Sequence, residues 1–282
     1  MLFPDEERAV KIGFSLRDPR LVEVFIKSDP QFHSVAEIIE RLGFIDGSLY
    51  IMGVALISYM LSARGEAHWR LAAQNARPPF SQSLLDFVRS SPSLAKLRAQ
   101  RLGRIEKYLR ESVPKLKRLL DAKVVDLDLV HRALTESLGA GSDRKTVVFA
   151  VKMLYYSLMV VGRESTACET IPIPVDYRVA LVTFTSGLLR GWTCDQDLKA
   201  LAQSSRTRYR QEIIRLWSIV AREAKVPPLA LDSIVWVSGL CIDKNLRHPD
   251  KIQECLSNEN NIGAEYSEKI RILWSELEAC FS

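Results

Sequence analysis

What the sequence lacks narrows its class first. Its five cysteines, at positions 168, 194, 241, 255 and 280, are too widely separated for a CxxC pair or a cluster-ligand run, and their odd number argues against a disulfide framework. A reducing, cytoplasmic compartment is expected. The opening "MLFPDEERAV" carries acidic residues where a signal peptide would carry positive charge followed by an apolar stretch, so no export is expected. No apolar run is long enough to cross a bilayer. The most hydrophobic, residues 48–61, has 14 residues where a spanning helix needs roughly 20, so it reads as a buried core helix and no membrane partner is expected. Internal repeats and low-complexity tracts are missing, as are two-residue hairpins flanked by alternating strands.

What is present is helical patterning. Of the 282 residues 47% are hydrophobic, ample for a core. Apolar side chains recur three and four apart at Val35, Ile38, Ile39 and Leu42, at Leu102, Ile105, Leu109 and Val113, and at Ile213, Ile214, Trp217 and Val220. Stop signals punctuate them, among them "LGFIDGS", "ARPPF", "ETIPIPVD" and "KVPPLALD". The β-prone "YRVALVTFTSGLL" has no evident partner strand and is assigned to a helix. The fold class is therefore all-α, with the Pro-rich joint at 171–174 as the boundary between helical lobes.

Charge is unevenly spread. Lys and Arg number 39 against 34 Asp and Glu, and nine of the cations fall between Lys96 and Arg118, where only Glu106 and Glu111 oppose them. Such a stretch suits a polyanion, since each neutralised phosphate releases counterions. It equally describes a solvated helix face.

The segment "GAGSDRKTVVFAVKM", residues 139–153, follows a helix over 126–138 and opens another at its lysine. Gly139 and Gly141 can take positive φ in the turn, Ser142 or Asp143 can cap the next helix, and the free amides there can hold an anion such as a DNA phosphate. At the positive helix end, beside Arg144, a charged ammonium on Lys145 is disfavoured, and a neutral amine is a nucleophile. A lysine placed there can also simply meet solvent or a phosphate. Downstream, in "IPIPVDYRVAL", Asp176 caps the helix starting at Tyr177, and the ionised carboxylate of a cap is also what a base beside a lysine nucleophile requires.

Helix, glycine hairpin, helix opening on lysine, then Val-Asp about thirty residues later: this order resembles the helix-hairpin-helix DNA glycosylases. In the endonuclease III branch the hairpin reads LPGVGxKTA and the later block VDTHV. Here "LGAGSDRKT" is two residues longer and lacks the proline, the four-cysteine iron-sulfur run is missing, and the blocks "KTVVFAVKM" and "IPIPVDYRVA" are similar to those of the archaeal 8-oxoguanine N-glycosylase/DNA lyases. That resemblance implies Lys145 as nucleophile and Asp176 as the residue that activates or stabilises it. It implies a base pocket of Phe149, one turn after the lysine, Trp236 and Asp232 from "LALDSIVWVSG", and Gln31 and Trp69. Core packing, helix capping, loop surface and an anchor between lobes are the alternatives for these five. Lys152, at i+7 from Lys145, is expected to snorkel toward solvent or a phosphate.

The expected architecture is two helical lobes joined through the helix-hairpin-helix (126–160), with the active site in the cleft between them. One lobe comprises 1–62 with 170–282, the other 63–169. The expected activity is excision of 8-oxoguanine from double-stranded DNA. The extruded base stacks between Phe149 and Trp236, Lys145 attacks the sugar C1′, and the resulting Schiff base permits β-elimination. Gly139 and Gly141 would grip phosphate, no metal or nucleotide cofactor would be needed, and the enzyme would act as a monomer, cytoplasmic and nucleoid-associated. A non-catalytic helix-hairpin-helix DNA-binding module and a helical protein-interaction scaffold are the alternatives.

Overall fold

The computed structural model describes residues 2–166 and 169–281; Cys168 lies outside them. Helices dominate, as the periodicity predicts. In chain order they are α1 (Glu6–Ser15), α2 (Pro19–Ser28), α3 (Pro30–Leu42), α4 (Phe44–Leu56), α5 (Gly65–Asn75), α6 (Phe80–Ser90), α7 (Arg98–Lys107), α8 (Val113–Asp121), α9 (Leu127–Leu138) and α10 (Lys145–Val160). They continue as α11 (Tyr177–Thr185), α12 (Leu198–Arg208), α13 (Arg210–Ala224), α14 (Pro228–Lys244), α15 (Ile252–Asn260), α16 (Ala264–Lys269) and α17 (Ser275–Phe281). Aspartates cap many of them: Asp5, Asp18, Asp126, Asp176 and Asp197 each accept from a free amide of the first turn. Among the described residues no single helix is long and apolar enough to cross a membrane.

The chain divides into two compact units, Met1–Asp29 with Pro172–Ser282, and Pro30–Ile171. In the second unit the core is built on α4 and α10, both apolar nearly all round and correspondingly buried. A Cβ at Gly53 would fall 2.4 Å from Leu84 Cδ2, so the glycine leaves room on α4 for the Leu84 side chain of α6. The buried phenols find carbonyls: Tyr50 donates to Ala72 at 3.0 Å and Tyr108 to Leu49 at 2.8 Å. Between α7 and α8 the helix widens into π-helical turns at Tyr108–Ser112, where the Val113 N–H bonds back to the Tyr108 carbonyl. Pro114, with no N–H to continue the ladder, accounts for the widening. This unit corrects one expectation. Residues 30–62 belong with the central segment, not with the termini, because α3 and α4 pack on α10 and α3 on α5.

In the other unit α1 lies on α13, with Gly13 in contact where a Cβ would meet Glu223 Cβ at 2.4 Å. Helix α11 packs on α12 and α14, and the buried Trp217 of α13 donates to Thr183 of α11 at 2.9 Å. The β-prone segment is helical to Thr185, then supplies a two-residue strand β2 (Leu189–Arg190) that pairs antiparallel with β1 (Phe3–Pro4). The partner was not evident because Phe3–Pro4 is too short to show alternation.

The cysteine expectation is overturned. Cys194 is bonded to Cys280 and Cys241 to Cys255, with Cα separations of 5.6 and 5.7 Å. Spacing along the chain was the wrong measure; pairing needs only that the fold bring two Cα atoms within about 4.4–6.8 Å. Nor does it decide the compartment, since intracellular proteins of hyperthermophilic archaea are disulfide-rich.

Candidate active site

The hairpin is shaped by backbone bonds. Helix α9 ends in a left-handed Gly139 (φ 60°), with Ala140 N–H bonded to Thr135 and Gly139 N–H to Glu136, the crossed pair of a Schellman turn. Gly141, expected to share this conformation, does not have positive φ. One left-handed residue suffices to reverse the chain. The cap also differs from expectation. Arg144 occupies the N-cap of α10 without a side-chain bond, so neither Ser142 nor Asp143 takes that place. The Ser142 carbonyl instead accepts from Nε2 of the buried His131 at 2.8 Å, which fixes the turn to α9.

Lys145 is therefore the first residue of α10 and half-buried. Its Nζ lies 5.8 Å from the centroid of Phe149, one turn on, as i and i+4 on one face require. The following residue is anchored from the basic stretch: Arg104 of α7 donates to Thr146 Oγ1 at 2.8 Å. Burial holds the Arg104 guanidinium below its ordinary pKa. Arg104, Lys107 and Arg144, with Tyr59, Gln100 and the turn Gly139–Ala140–Gly141, line a cleft of about 520 Å³. A Cβ on Gly139 would stand 4.0 Å from Lys107 Nζ. The basic stretch is thus more than a solvated face. One side of it forms a concave cationic wall opposite the hairpin amides, suited to a phosphate.

Phe149 packs edge-on against Trp69 of α5, centroids 6.0 Å apart at 77°. Trp69 is buried, and so is Gln31, which lies in the first turn of α3 and not on a surface loop. Helix α3 rests on α5 and α10, which carry Trp69 and Phe149. Lys152 departs from expectation. It is fully buried, its Nζ 5.1 Å from the Tyr156 ring, because α10 is enclosed over nearly its whole length.

The remaining candidates lie on α11 and α14. Asp176 caps α11, accepting the Val179 N–H at 3.0 Å, with its approach stiffened by Pro172 and Pro174. Asp232 is not a cap: α14 starts at Pro228 behind Pro227, which leaves Asp232 buried in the second turn, one turn before Trp236. Arg178 lies over Trp236, its guanidinium carbon 4.0 Å from the ring centroid. Gly239 permits this, since a Cβ there would already stand 3.1 Å from Arg178 Cβ. Tyr177 donates to Asp243 at 2.7 Å and Lys199 pairs with the same carboxylate at 3.0 Å, which fixes the start of α11 to α12 and α14. Sequence reasoning passed over Arg178, although it stands two residues after the candidate aspartate. It also passed over His68 and Arg101, which carry no motif.

Residues 14–272 match the family described as "AGOG: N-glycosylase/DNA lyase". The N-glycosylase/DNA lyase of Pyrobaculum aerophilum is 33% identical over 221 residues, which cover 77% of this chain and 79% of that protein. Its counterpart in Aeropyrum pernix is 29% identical over 222 residues, covering 75% and 74%. A crystal structure of the 8-oxoguanine DNA glycosylase from Pyrobaculum aerophilum, complexed with 8-oxoguanosine, aligns with a TM-score of 0.71 at 27% identity over 95% of this chain and 96% of that one. With a lysine opening the helix after a glycine hairpin, and a match over nearly its whole length, the chain belongs to the AGOG family of N-glycosylase/DNA lyases, enzymes of DNA repair.

Proposed function

We propose that the protein removes 8-oxoguanine from double-stranded DNA and then cuts the strand. The observation that carries this reading is Lys145 at the first position of α10, with Phe149 beside it on the same helix face and Nζ 5.8 Å from the ring centroid. Attack of its neutral amine on the sugar C1′ expels the base and, after ring opening, gives a Schiff base. The iminium acidifies the adjacent carbon, and β-elimination breaks the bond on the 3′ side of the lesion. Asp176 takes the lysine proton or offsets positive charge at the anomeric carbon. The chemistry calls for no metal or cofactor.

Phe149 and Trp236 offer their rings to the extruded base and recover part of the few kcal/mol lost on unstacking. Asp232, buried and polar, accepts from the base edge, and Gln31 and Trp69 complete the pocket. Gly139 and Gly141, with the cationic wall of Arg104, Lys107 and Arg144, hold backbone phosphate. The enzyme acts as a monomer, in the cytoplasm and at the nucleoid.

Single-turnover cleavage of duplexes carrying either 8-oxoguanine or guanine at one position tests the reading. Wild type should cut the lesion duplex alone. Phe149→Ala and Trp236→Ala should each lower lesion cleavage by tenfold or more, about 1.4 kcal/mol, while affinity for undamaged duplex stays within about twofold. Equal losses in cleavage and in general affinity would remove both rings from the pocket.

A further inference from the structure

The Trp236 ring, buried on α14, has a charged neighbour over one of its faces. Arg178 of α11 stands there, its guanidinium carbon 4.0 Å from the ring centroid. At that distance the guanidinium occupies the space a stacked neighbour would take, and the attraction between cation and π-system holds the pair together. A base can then stack only on the opposite face.

The arginine is held in place along its own length. It lies in the first turn of α11, two residues after the capping Asp176, whose carboxylate accepts the Val179 N–H at 3.0 Å. The residue between them, Tyr177, donates to Asp243 of α14 at 2.7 Å, so this turn is bonded to the helix that carries the tryptophan. Further along that helix, three residues after Trp236, Gly239 leaves room for the arginine stem. A Cβ there would stand 3.1 Å from Arg178 Cβ, 3.7 Å from its Cγ and 3.3 Å from Val182 Cγ2, the first and last closer than ordinary carbon contacts. A glycine inside a helix is less stable than an alanine, and this one keeps the Arg178 stem against α14. Backbone, stem and guanidinium thus all direct the charge onto the indole.

We propose that Arg178 is a positioning residue that backs Trp236 and presents the opposite face of the ring, already oriented, to the extruded base. The proposal rests on the excision reading above and adds to it a residue that acts through Trp236. An indole fixed before binding spares the complex the cost of ordering the ring afterwards. That benefit exists only while there is a base to stack, so it bears on base excision and not on strand cleavage at a site whose base has already gone.

Single-turnover rates on two duplexes test this, one carrying 8-oxoguanine and the other a preformed abasic site at the same position. Arg178→Ala should slow base release about tenfold and leave abasic-site cleavage within about twofold of wild type. Arg178→Lys keeps a cation within reach of the ring and should recover part of the loss. Gly239→Ala leaves the arginine present and only displaces its stem, so it should lower the same ratio of base release to abasic-site cleavage. In a Trp236→Ala background, Arg178→Ala should slow base release by less than about twofold more, because the ring it acts through has gone. Equal losses on both duplexes, or a full tenfold loss on top of Trp236→Ala, would overturn the proposal while leaving the excision reading intact. Wild type that cuts the abasic duplex and releases no 8-oxoguanine would end the excision reading first, and the role of Arg178 with it.

Discussion

At position 68 a histidine is enclosed on all sides, with Nδ1 bonded to Ser93 at 2.8 Å and Nε2 to Ser58 at 3.0 Å. Burial, aided by nearby Arg101, pushes its pKa down to about 3. The folded protein therefore resists protonation that the unfolded chain accepts near 6.5. The stability this contributes is fully present above that pH and is lost as pH falls toward 3. Between pH 8 and pH 5 the loss should be about 2 kcal/mol by chemical denaturation. His68→Gln should flatten that slope, leaving a remainder to His131, whose pKa burial also lowers; an identical slope in the variant would place the sensitivity elsewhere. Legibility at this scale was uneven. Lys145 stood out as a candidate because a lysine at a helix start after a glycine turn is a local pattern, but that pattern equally allowed contact with solvent or phosphate, and the nucleophile's role came from the resemblance. The burial of Lys152 depends on what encloses α10, and Arg101 was one cation among nine, so neither could be read without the fold.

The elements themselves were largely readable. Spacings of three and four located α3, α7 and α13, the capping Asp176 located the start of α11, and prolines marked breaks such as the one before α14, since these signals lie within a few residues of each other. What depends on distant partners was missed: the strand pairing of Phe3–Pro4, the place of α3 and α4 beside α10, and above all the disulfides. Cys194–Cys280 fastens α17 to the segment after β2 across 86 residues, whereas Cys241–Cys255 joins α14 to α15 across only 14. Chain-entropy arguments give the longer loop the larger effect, and removing a native bridge costs about 2–5 kcal/mol. Thermal unfolding should accordingly fall further in Cys194→Ser/Cys280→Ser than in Cys241→Ser/Cys255→Ser, and reductant should lower the wild-type midpoint. The reverse order, or indifference to reductant, would show that the bridges contribute little in solution.

For the whole molecule, the sequence placed an all-α chain in a DNA-repair family from two short blocks, and the comparisons extend that membership over residues 14–272. The chemistry assigned to it depends on a single amine. Sodium borohydride reduces a Schiff base to a permanent covalent bond, so incubation with a duplex bearing one 8-oxoguanine should leave wild type cross-linked to the cut strand. Lys145→Gln should form no adduct while still binding the duplex. A cross-link that persists in Lys145→Gln would show that another amine is the nucleophile and contradict the account at its centre.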